Sequence, residues 1–305
     1  MQYKMKRIVV CFLCMLLLCG CAKDFNIKDD KKLSVVTTIF PLYDFARAVG
    51  GDNVEVKMLI KPGSEVHSYD PLPSDMVAVC NSDLFLYIGG ESDKWVDTLL
   101  DDENIKSLPL INSVEQKHEE HDSNKLHHNH SDEHIWTAPQ NAVLMIKSIC
   151  QSFAEVDSKN AAVYQKNCNE YIKKITAASE KIETTVSKCK NPFILVADRF
   201  PFGFFAKQYG IEYAAAFDGC AVSTDISLKT MSRLTKTIKE KNIKTVFCTE
   251  LSNKSIANAL SGELGVEILE LHSAHNVSAK DFTGGITYVD ILYRNNEALE
   301  RGLLS

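Results

Sequence analysis

The sequence lacks the short motifs that mark the common enzyme classes: it has no HExxH, no GxSxG, no P-loop and no GxGxxG. It also lacks a basic excess, because 34 lysines and arginines stand against 40 aspartates and glutamates and the net charge is -6. Proteins that hold nucleic acid by its phosphates need such an excess, so the charge argues against a nucleic-acid partner. We therefore expect neither a common type of enzyme nor a nucleic-acid-binding protein.

Paired CxxC cysteines are also missing beyond residue 21. The cysteines of that part are scattered: Cys80, Cys150, Cys168, Cys189, Cys220 and Cys248. Their spacing fits neither a zinc knuckle nor a dense disulfide framework, so we expect most of them to be small buried hydrophobic residues. Cys220 follows a glycine in a loop and is kept as a candidate metal ligand.

The apolar run at residues 8–18 is too short for a comfortable transmembrane helix. Basic residues precede it and an abruptly polar stretch follows, which predicts a lipoprotein signal peptide over residues 1–20 and a tether over residues 21–32. The end of the leader, Leu18-Cys19-Gly20-Cys21, resembles a bacterial lipobox. We expect cleavage before Cys21, a lipid on its thiol, and a mature protein anchored on the outer face of the cytoplasmic membrane; ordinary secretion and an uncleaved anchor are the alternatives.

Histidine is concentrated in residues 115–134, which hold six of the nine in the chain among acids and small polar residues. Neutral imidazole binds zinc, copper, nickel and iron, and a segment this polar cannot bury enough apolar surface to order itself as core. The pattern predicts a flexible loop that attracts metal ions, although a solvated insertion without a role has the same composition. His134 begins an ordered apolar segment, which makes it a candidate for a fixed site.

Strands and helices alternate along the rest of the chain, as in α/β folds with parallel sheets. The alternation occurs twice and predicts two α/β lobes, over residues 33–138 and 191–305. Residues 139–190 have helical periodicity with few breakers, and they predict a long rigid linking helix with a bend near Asp157. Two antiparallel helices packed on one lobe are the alternative. Ligands are expected beyond the carboxyl ends of the strands.

Polar residues that directly follow the apolar strands are the candidates for this ligand site. They are Glu65, His67, His134, Asp198, Arg199, Cys220, Asp225, Glu250, His272 and His275. A lone loop histidine is usually satisfied by the backbone, and the carboxylates serve equally well as helix caps or as partners of Arg199. Several metal-capable groups at one sheet edge favour a metal site over these alternatives.

Many segments resemble the substrate-binding lipoproteins of bacterial zinc and manganese ABC transporters, the cluster A-I solute-binding proteins, and in particular the zinc-uptake type. Besides the lipobox and the histidine-rich segment, they are residues 38–45 (TIFPLYDF), residues 62–71 (PGSEVHSYDP), His134-Ile135-Trp136 with Pro139, Phe202-Gly203 with residues 207–210 (KQYG), and residues 288–299. The resemblance implies two lobes joined by one rigid helix, with zinc bound between them as the transported ion. It also implies a monomer whose partners are a membrane permease and its ATPase.

Carried over residue by residue, the resemblance makes His67 and His134 the first two metal ligands. The third histidine of the family falls at Arg199, which has no lone pair for a metal. The carboxylate of manganese-binding members falls at Ile286. His275 lies close to the position where some zinc-binding members supply a glutamate, so it is the candidate third ligand.

The remaining ligands stay open at this point: Glu65, Asp198, Cys220, Asp225, Glu250 or a water could complete the shell. We expect Arg199 to pair with Glu250 or Asp225, which would place a positive charge near the bound cation.

Imidazole ligands and the histidine-rich segment favour zinc over manganese, which prefers carboxylate oxygen. The expected function is therefore the extracytoplasmic, high-affinity zinc-binding component of an ABC importer, without catalysis. The alternatives are a manganese- or iron-binding homologue, a surface adhesin or metal-scavenging protein on the same scaffold, and a metallohydrolase with an open coordination site.

Overall fold

The computed structural model describes residues 31–102, 105–114, 132–219 and 226–304. The predictions for the signal peptide, for Cys21, for most of the histidine-rich segment, and for Cys220 and Asp225 lie outside these residues. Within them, no helix is both long enough and apolar enough to cross a membrane.

The first half of the chain forms a parallel sheet with strand order β2-β1-β3-β4. The strands are β1 Leu33–Thr37, β2 Val54–Met58, β3 Leu84–Tyr87 and β4 Ser107–Pro109, and the helices are α1 Phe40–Gly50, α2 Pro73–Cys80 and α3 Trp95–Asp102. Pro41 lies in the first turn of α1, where its missing N–H costs no hydrogen bond, and Gly51 ends the helix with a φ of 54°. The two central strands are almost wholly buried, as expected for parallel strands covered on both faces.

The second half repeats this topology with strand order β6-β5-β7-β8, again all parallel. The strands are β5 Phe193–Phe200, β6 Glu212–Asp218, β7 Thr245–Cys248 and β8 Glu267–Glu270. The helices are α6 Gly203–Tyr209, α7 Leu228–Lys241, α8 Ser255–Leu264, α9 Ala279–Thr283 and α10 Tyr288–Leu304. The predicted two-lobed α/β fold with parallel sheets is confirmed. A register shift in β5 between Val196 and Arg199 re-aims the end of that strand.

Two helices, α4 Pro139–Val156 and α5 Ala161–Ser187, connect the sheets where one bent helix was expected. They pack antiparallel, because the ring of Phe153 lies 5.4 Å from that of Tyr164 and the Cys150 thiol lies 3.9 Å from the side chain of Gln165. The side chain of Asp157 stabilises the break by accepting the Tyr164 hydroxyl at 2.6 Å. The predicted bend is thus a complete reversal of direction.

Helix α5 contacts both halves of the molecule. Near its start, Asn167 donates to the carbonyl of Val49 at the end of α1, at 3.0 Å. Near its end, Thr185 donates to Asn296 in α10, at 2.8 Å. One continuous hydrophobic cluster contains residues of α5 and of both sheets. The two sheets are therefore held against a common apolar core.

Candidate metal centre

His67 lies in the loop that follows β2, and two hydrogen bonds fasten this loop to the other half of the molecule. The amide of Asn276 donates to the carbonyls of Lys61 and Ser64, at 2.9 and 2.8 Å. Because Asn276 directly follows His275, these bonds bring the His67 loop beside His275. The rings of the two histidines lie 4.8 Å apart.

His134 stands directly before a single 3-10 turn, Ile135–Thr137, and is only 1% exposed. Its carbonyl accepts the Thr137 hydroxyl at 2.8 Å, which fixes the turn. The indole N–H of Trp136 donates to the carbonyl of Ser273 at 2.9 Å. This bond ties the turn to the loop that carries His275.

His275 lies in the loop after β8, and the carboxylate of Glu250, just after the end of β7, holds this loop. Glu250 accepts the Ser273 N–H at 2.7 Å, the Ser273 hydroxyl at 2.5 Å and the His275 N–H at 3.2 Å. Ala274 adopts a φ of 61°, a conformation that costs free energy for a residue with a Cβ. The hydrogen bonds of Glu250 offset that cost and hold His275 in place.

The three histidines converge on one point. Their candidate ligand nitrogens all lie within 4.8 Å of one another. Nitrogens that share a tetrahedral zinc ion lie roughly 3.4 Å apart, given Zn–N bonds of about 2.1 Å, so a small closure of the three rings would complete the geometry. Among the described residues, this is the one group of three or more histidine, cysteine or acidic side chains with such spacing.

Two carboxylates orient the histidine rings from behind. Asp132 accepts from His134 through Nδ1, at 2.8 Å, and through its backbone N–H, at 3.0 Å. Glu133 accepts the Ser92 hydroxyl at 2.5 Å, and the same hydroxyl lies 3.4 Å from Nδ1 of His67. A carboxylate behind a ligand histidine fixes its tautomer and leaves Nε2 for the metal.

Burial lowers the pKa of two of the three imidazoles, those of His67 and His275. It lowers the pKa of His275 well below its usual 6.5, and the nearby His134, His67 and Arg199 lower it further. Burial also lowers the pKa of His67, with His134 as the next cause and Glu65 opposing. A neutral imidazole has a lone pair for a metal, whereas an imidazolium does not. The lowered pKa values therefore favour the neutral, ligand form of His67 and His275 near neutral pH.

The other candidates lie around the three histidines without joining them. Arg199 pairs with Glu65, at 3.2 Å, so the expected pairing with Glu250 is corrected, whereas the alternative partner Asp225 lies outside the described residues. The reason is that the loop after β2 reaches Arg199 across the interface while Glu250 is occupied by the His275 loop. Asp198 accepts the backbone N–H of Arg199 and the hydroxyl of Thr249.

His272 is buried and turned away, since its Nδ1 accepts the N–H of Ala274 at 2.9 Å. Ile286, the position expected for a manganese-binding carboxylate, lies in the hydrophobic core. Sequence reasoning missed the supporting roles of Asp132 and Glu133, because both stand at the end of a polar segment. No motif or pattern in the sequence marked Ser92 as part of the site.

A cavity of about 370 Å³ opens from the three histidines toward the carboxyl ends of β5 and β7. Its wall includes Arg199 and Glu250. The cavity lies where parallel α/β sheets bind ligands, beyond the ends of the strands.

Comparison with known proteins decides the family. The family model described as zinc-uptake complex component A, periplasmic (ZnuA), matches residues 35–302. The chain belongs to this ZnuA family. The resemblance noted from the motifs is thereby confirmed. The family consists of transport components, so the chain is not an enzyme.

Two relatives and one solved structure show the extent of the likeness. The high-affinity zinc uptake system protein ZnuA of Bacillus subtilis (strain 168) is 30% identical over 97% of this chain and 96% of its own. The zinc-binding lipoprotein AdcA of Streptococcus pneumoniae is 28% identical over 97% of this chain, which spans 61% of AdcA. The crystal structure of the Zn(II)-bound ZnuA-like domain of that AdcA superposes with a TM-score of 0.77 at 25% identity, covering 90% of this chain and 100% of the domain.

Proposed function

We propose that this ZnuA-family chain captures one zinc ion outside the cytoplasmic membrane and delivers it to the permease of an ABC importer, which its ATPase drives. The observation that carries the proposal is the convergence of His67, His134 and His275 at the interface of the two halves. Each histidine comes from a different loop, so a bound ion would draw the two halves together. The closed arrangement would then distinguish the zinc-loaded protein from the empty one.

Zinc suits this ligand set better than manganese or iron does. Three neutral imidazoles are typical zinc ligands, whereas manganese prefers carboxylate oxygens. Acidic side chains near the centre already have partners within the protein: Asp132 with His134, Glu65 with Arg199 and Glu250 with Ser273. The named relatives are described as zinc-binding or zinc-uptake proteins, which supports the same ion.

The proposal includes a lipid anchor on Cys21 and a monomeric protein on the outer face of the membrane. The histidine-rich segment, residues 115–134, would raise the local zinc concentration before the ion enters the centre. A protein held near its permease delivers ions by a short diffusion path.

Uptake of radioactive zinc by cells tests this function directly. A strain that lacks the protein should take up zinc slowly at limiting concentration, and the intact gene should restore the rate while His67→Ala should not. Undiminished uptake in the deletion strain would instead favour an adhesin or metal-scavenging protein on the same scaffold.

A further inference from the structure

Tyr288 begins α10 in the second half of the molecule, yet both of its polar groups bind the first half. Its hydroxyl donates to the carbonyl of Trp136 at 2.6 Å, and its backbone N–H donates to the carboxylate of Asp44 at 3.0 Å. The residue is only 1% exposed. Burial raises the pKa of its hydroxyl well above the usual 10.0, so the group stays protonated and remains a donor. Tyr288 therefore bridges the two halves.

The hydroxyl of Tyr288 meets the chain between two of the candidate ligands. Trp136 stands two residues after His134, and its indole N–H donates to the carbonyl of Ser273, two residues before His275. The centroid of the Trp136 ring lies 5.3 Å from that of His134 and 4.9 Å from that of His275. A contact that holds the backbone of Trp136 thus also holds the spacing of these two histidine rings, whose centroids lie 5.2 Å apart.

Tyr288 is itself held firmly by the first half and by the linking helices. The carboxylate of Asp44 in α1 accepts the Tyr288 N–H and also the hydroxyl of Tyr171 in α5. The ring of Phe45 lies edge-on to the ring of Tyr288, with centroids 5.1 Å apart and planes at 81°. A buried tyrosine has two side-chain torsions, and close packing keeps both in one well. The position of the hydroxyl is therefore set by α1 and α5.

A fixed arrangement of ligands favours zinc binding, because less conformational freedom is lost when the ion arrives. The candidate ligand nitrogens lie within 4.8 Å of one another, so the three rings need only a small movement to share an ion. If the His134 turn could move away from the His275 loop, the ion would have to order both segments itself. The affinity for zinc would then be lower.

We propose that Tyr288 is a positioning residue of the metal centre: its hydroxyl holds Trp136, and with it the His134 turn, against the His275 loop. The inference rests on the zinc-binding function proposed above. Tyr288 is not one of the candidate ligands, so its effect on zinc passes through Trp136.

A matched pair of variants separates positioning from stability. Tyr164 is the control, because it is 0% exposed and its hydroxyl also donates at 2.6 Å, to Asp157 at the reversal between the linking helices. Tyr288→Phe and Tyr164→Phe each remove one buried hydroxyl. Both should lower the thermal unfolding midpoint of the metal-free protein by roughly 2–4 °C. Tyr288→Phe alone should lower zinc affinity, by about five- to tenfold.

Zinc affinity is measured by competition with a chromophoric chelator, well below the unfolding temperature. The protein is the full chain in detergent, and loop binding is removed by changing five histidines to Asn: His118, His121, His127, His128 and His130. Equal affinities of Tyr288→Phe and Tyr164→Phe would overturn the positioning role and leave the metal centre intact. Absence of zinc binding in the parent protein would contradict the zinc function itself.

The indole N–H of Trp136 reports the proposed link directly. The chain has two tryptophans, so the NMR signal of this proton is assigned with Trp95→Phe. In the metal-free protein, exchange of the Trp136 indole proton with solvent should be several-fold faster in Tyr288→Phe than in the parent, because the bond to Ser273 opens more often. Tyr164→Phe should leave the rate unchanged. An unchanged rate in Tyr288→Phe would overturn the route through Trp136.

A double-mutant cycle tests the same route by zinc affinity. Trp136→Phe removes the N–H that donates to Ser273 and should also weaken zinc binding. Because this change and Tyr288→Phe loosen the same link, the double variant should lose less affinity than the product of the two single losses. A loss equal to that product would overturn the proposal, since Tyr288 would then act independently of Trp136.

Discussion

The carboxylate of Asp132 lies 2.8 Å from Nδ1 of His134 and also accepts the backbone N–H of the same residue. Both contacts come from a side chain only two positions earlier, so the ring of His134 is oriented by its own segment. The 3-10 turn that follows His134 is fastened to the His275 loop by the hydrogen bond from the Trp136 indole N–H to the Ser273 carbonyl. The candidate metal centre is therefore assembled by local contacts that are linked across the two halves.

Replacing the orienting carboxylate should weaken zinc binding without removing a ligand. Asp132→Asn is expected to lower zinc affinity by about 10- to 100-fold, the usual effect of a lost partner behind a ligand histidine. Competition with a chromophoric chelator measures the change. Asp281→Asn is the control, because that carboxylate contacts Ser278 and Arg294 away from the centre. Equal affinities for the two variants would contradict the role of Asp132.

Placing a histidine at position 199, where the resemblance implies one, should strengthen zinc binding. Arg199→His removes a positive charge and adds a fourth imidazole, and each ligand of a site worth about 10–16 kcal/mol contributes several kcal/mol. Calorimetry should therefore show tighter binding in Arg199→His than in Arg199→Gln, which removes only the charge. If the two variants bind zinc equally, residue 199 does not reach the metal.

Asp44 should make the stability of the protein depend on pH. Burial raises the pKa of this carboxyl to about 6, although it accepts hydrogen bonds from the Tyr171 hydroxyl and the Tyr288 N–H. The folded state then binds a proton more readily than the unfolded chain, whose pKa is the ordinary 3.8. The penalty is complete above pH 6 and is relieved as the pH falls toward 4, a gain of about 3 kcal/mol from this group.

Urea unfolding of the metal-free protein at pH 4, 5, 6 and 7 measures this effect. Asp44→Asn should lack that part of the gain, so the difference in unfolding free energy between the two proteins should change with pH. Asp93, whose pKa burial also raises to about 6, remains in both and cancels in the comparison. A pH-independent difference would show that Asp44 is ionised alike in the folded and unfolded states.

The lipid anchor is testable in cells. Growth with a radioactive fatty acid should label the mature protein, and Cys21→Ala should abolish the label because the thiol is the expected attachment point. A label that survives this substitution, or a wild-type protein without label, would contradict the lipobox interpretation. Zinc binding by the purified variant should be unchanged, since the proposed ligands are His67, His134 and His275.

Much of the fold was predictable because parallel strands and their helices leave strong local patterns. The alternation of β1, α1 and β2 is visible in residue type alone, and so is the second series that starts at β5. The reversal at Asp157 was less predictable, since helical periodicity continues on both sides and only tertiary packing decides between a bend and a turn. In this structure the chain reverses, and the hydrogen bond from the Tyr164 hydroxyl to Asp157 stabilises the reversal.

The candidate site was predictable to a different degree. The sequence motifs marked His67, His134 and His275, and the structure brings these three together. Arg199 pairs with Glu65 and not with the predicted Glu250, because Glu65 lies 134 positions away and reaches it only through the packing of the two halves. The supporting role of Ser92 could not be predicted from the sequence either, because its partners His67 and Glu133 are distant along the chain.

The most direct test of the metal centre is zinc titration by calorimetry of the full chain in detergent, with the five loop histidines His118, His121, His127, His128 and His130 changed to Asn. Asp132 and Glu133 must stay, because they hold the centre. One zinc ion should bind tightly, and His67→Ala or His275→Ala should each weaken binding by roughly a hundredfold or more. His272→Gln, a buried histidine outside the centre, should retain the affinity. Loss of all tight binding with the loop histidines, or indifference to His67→Ala, would contradict zinc capture by these three residues.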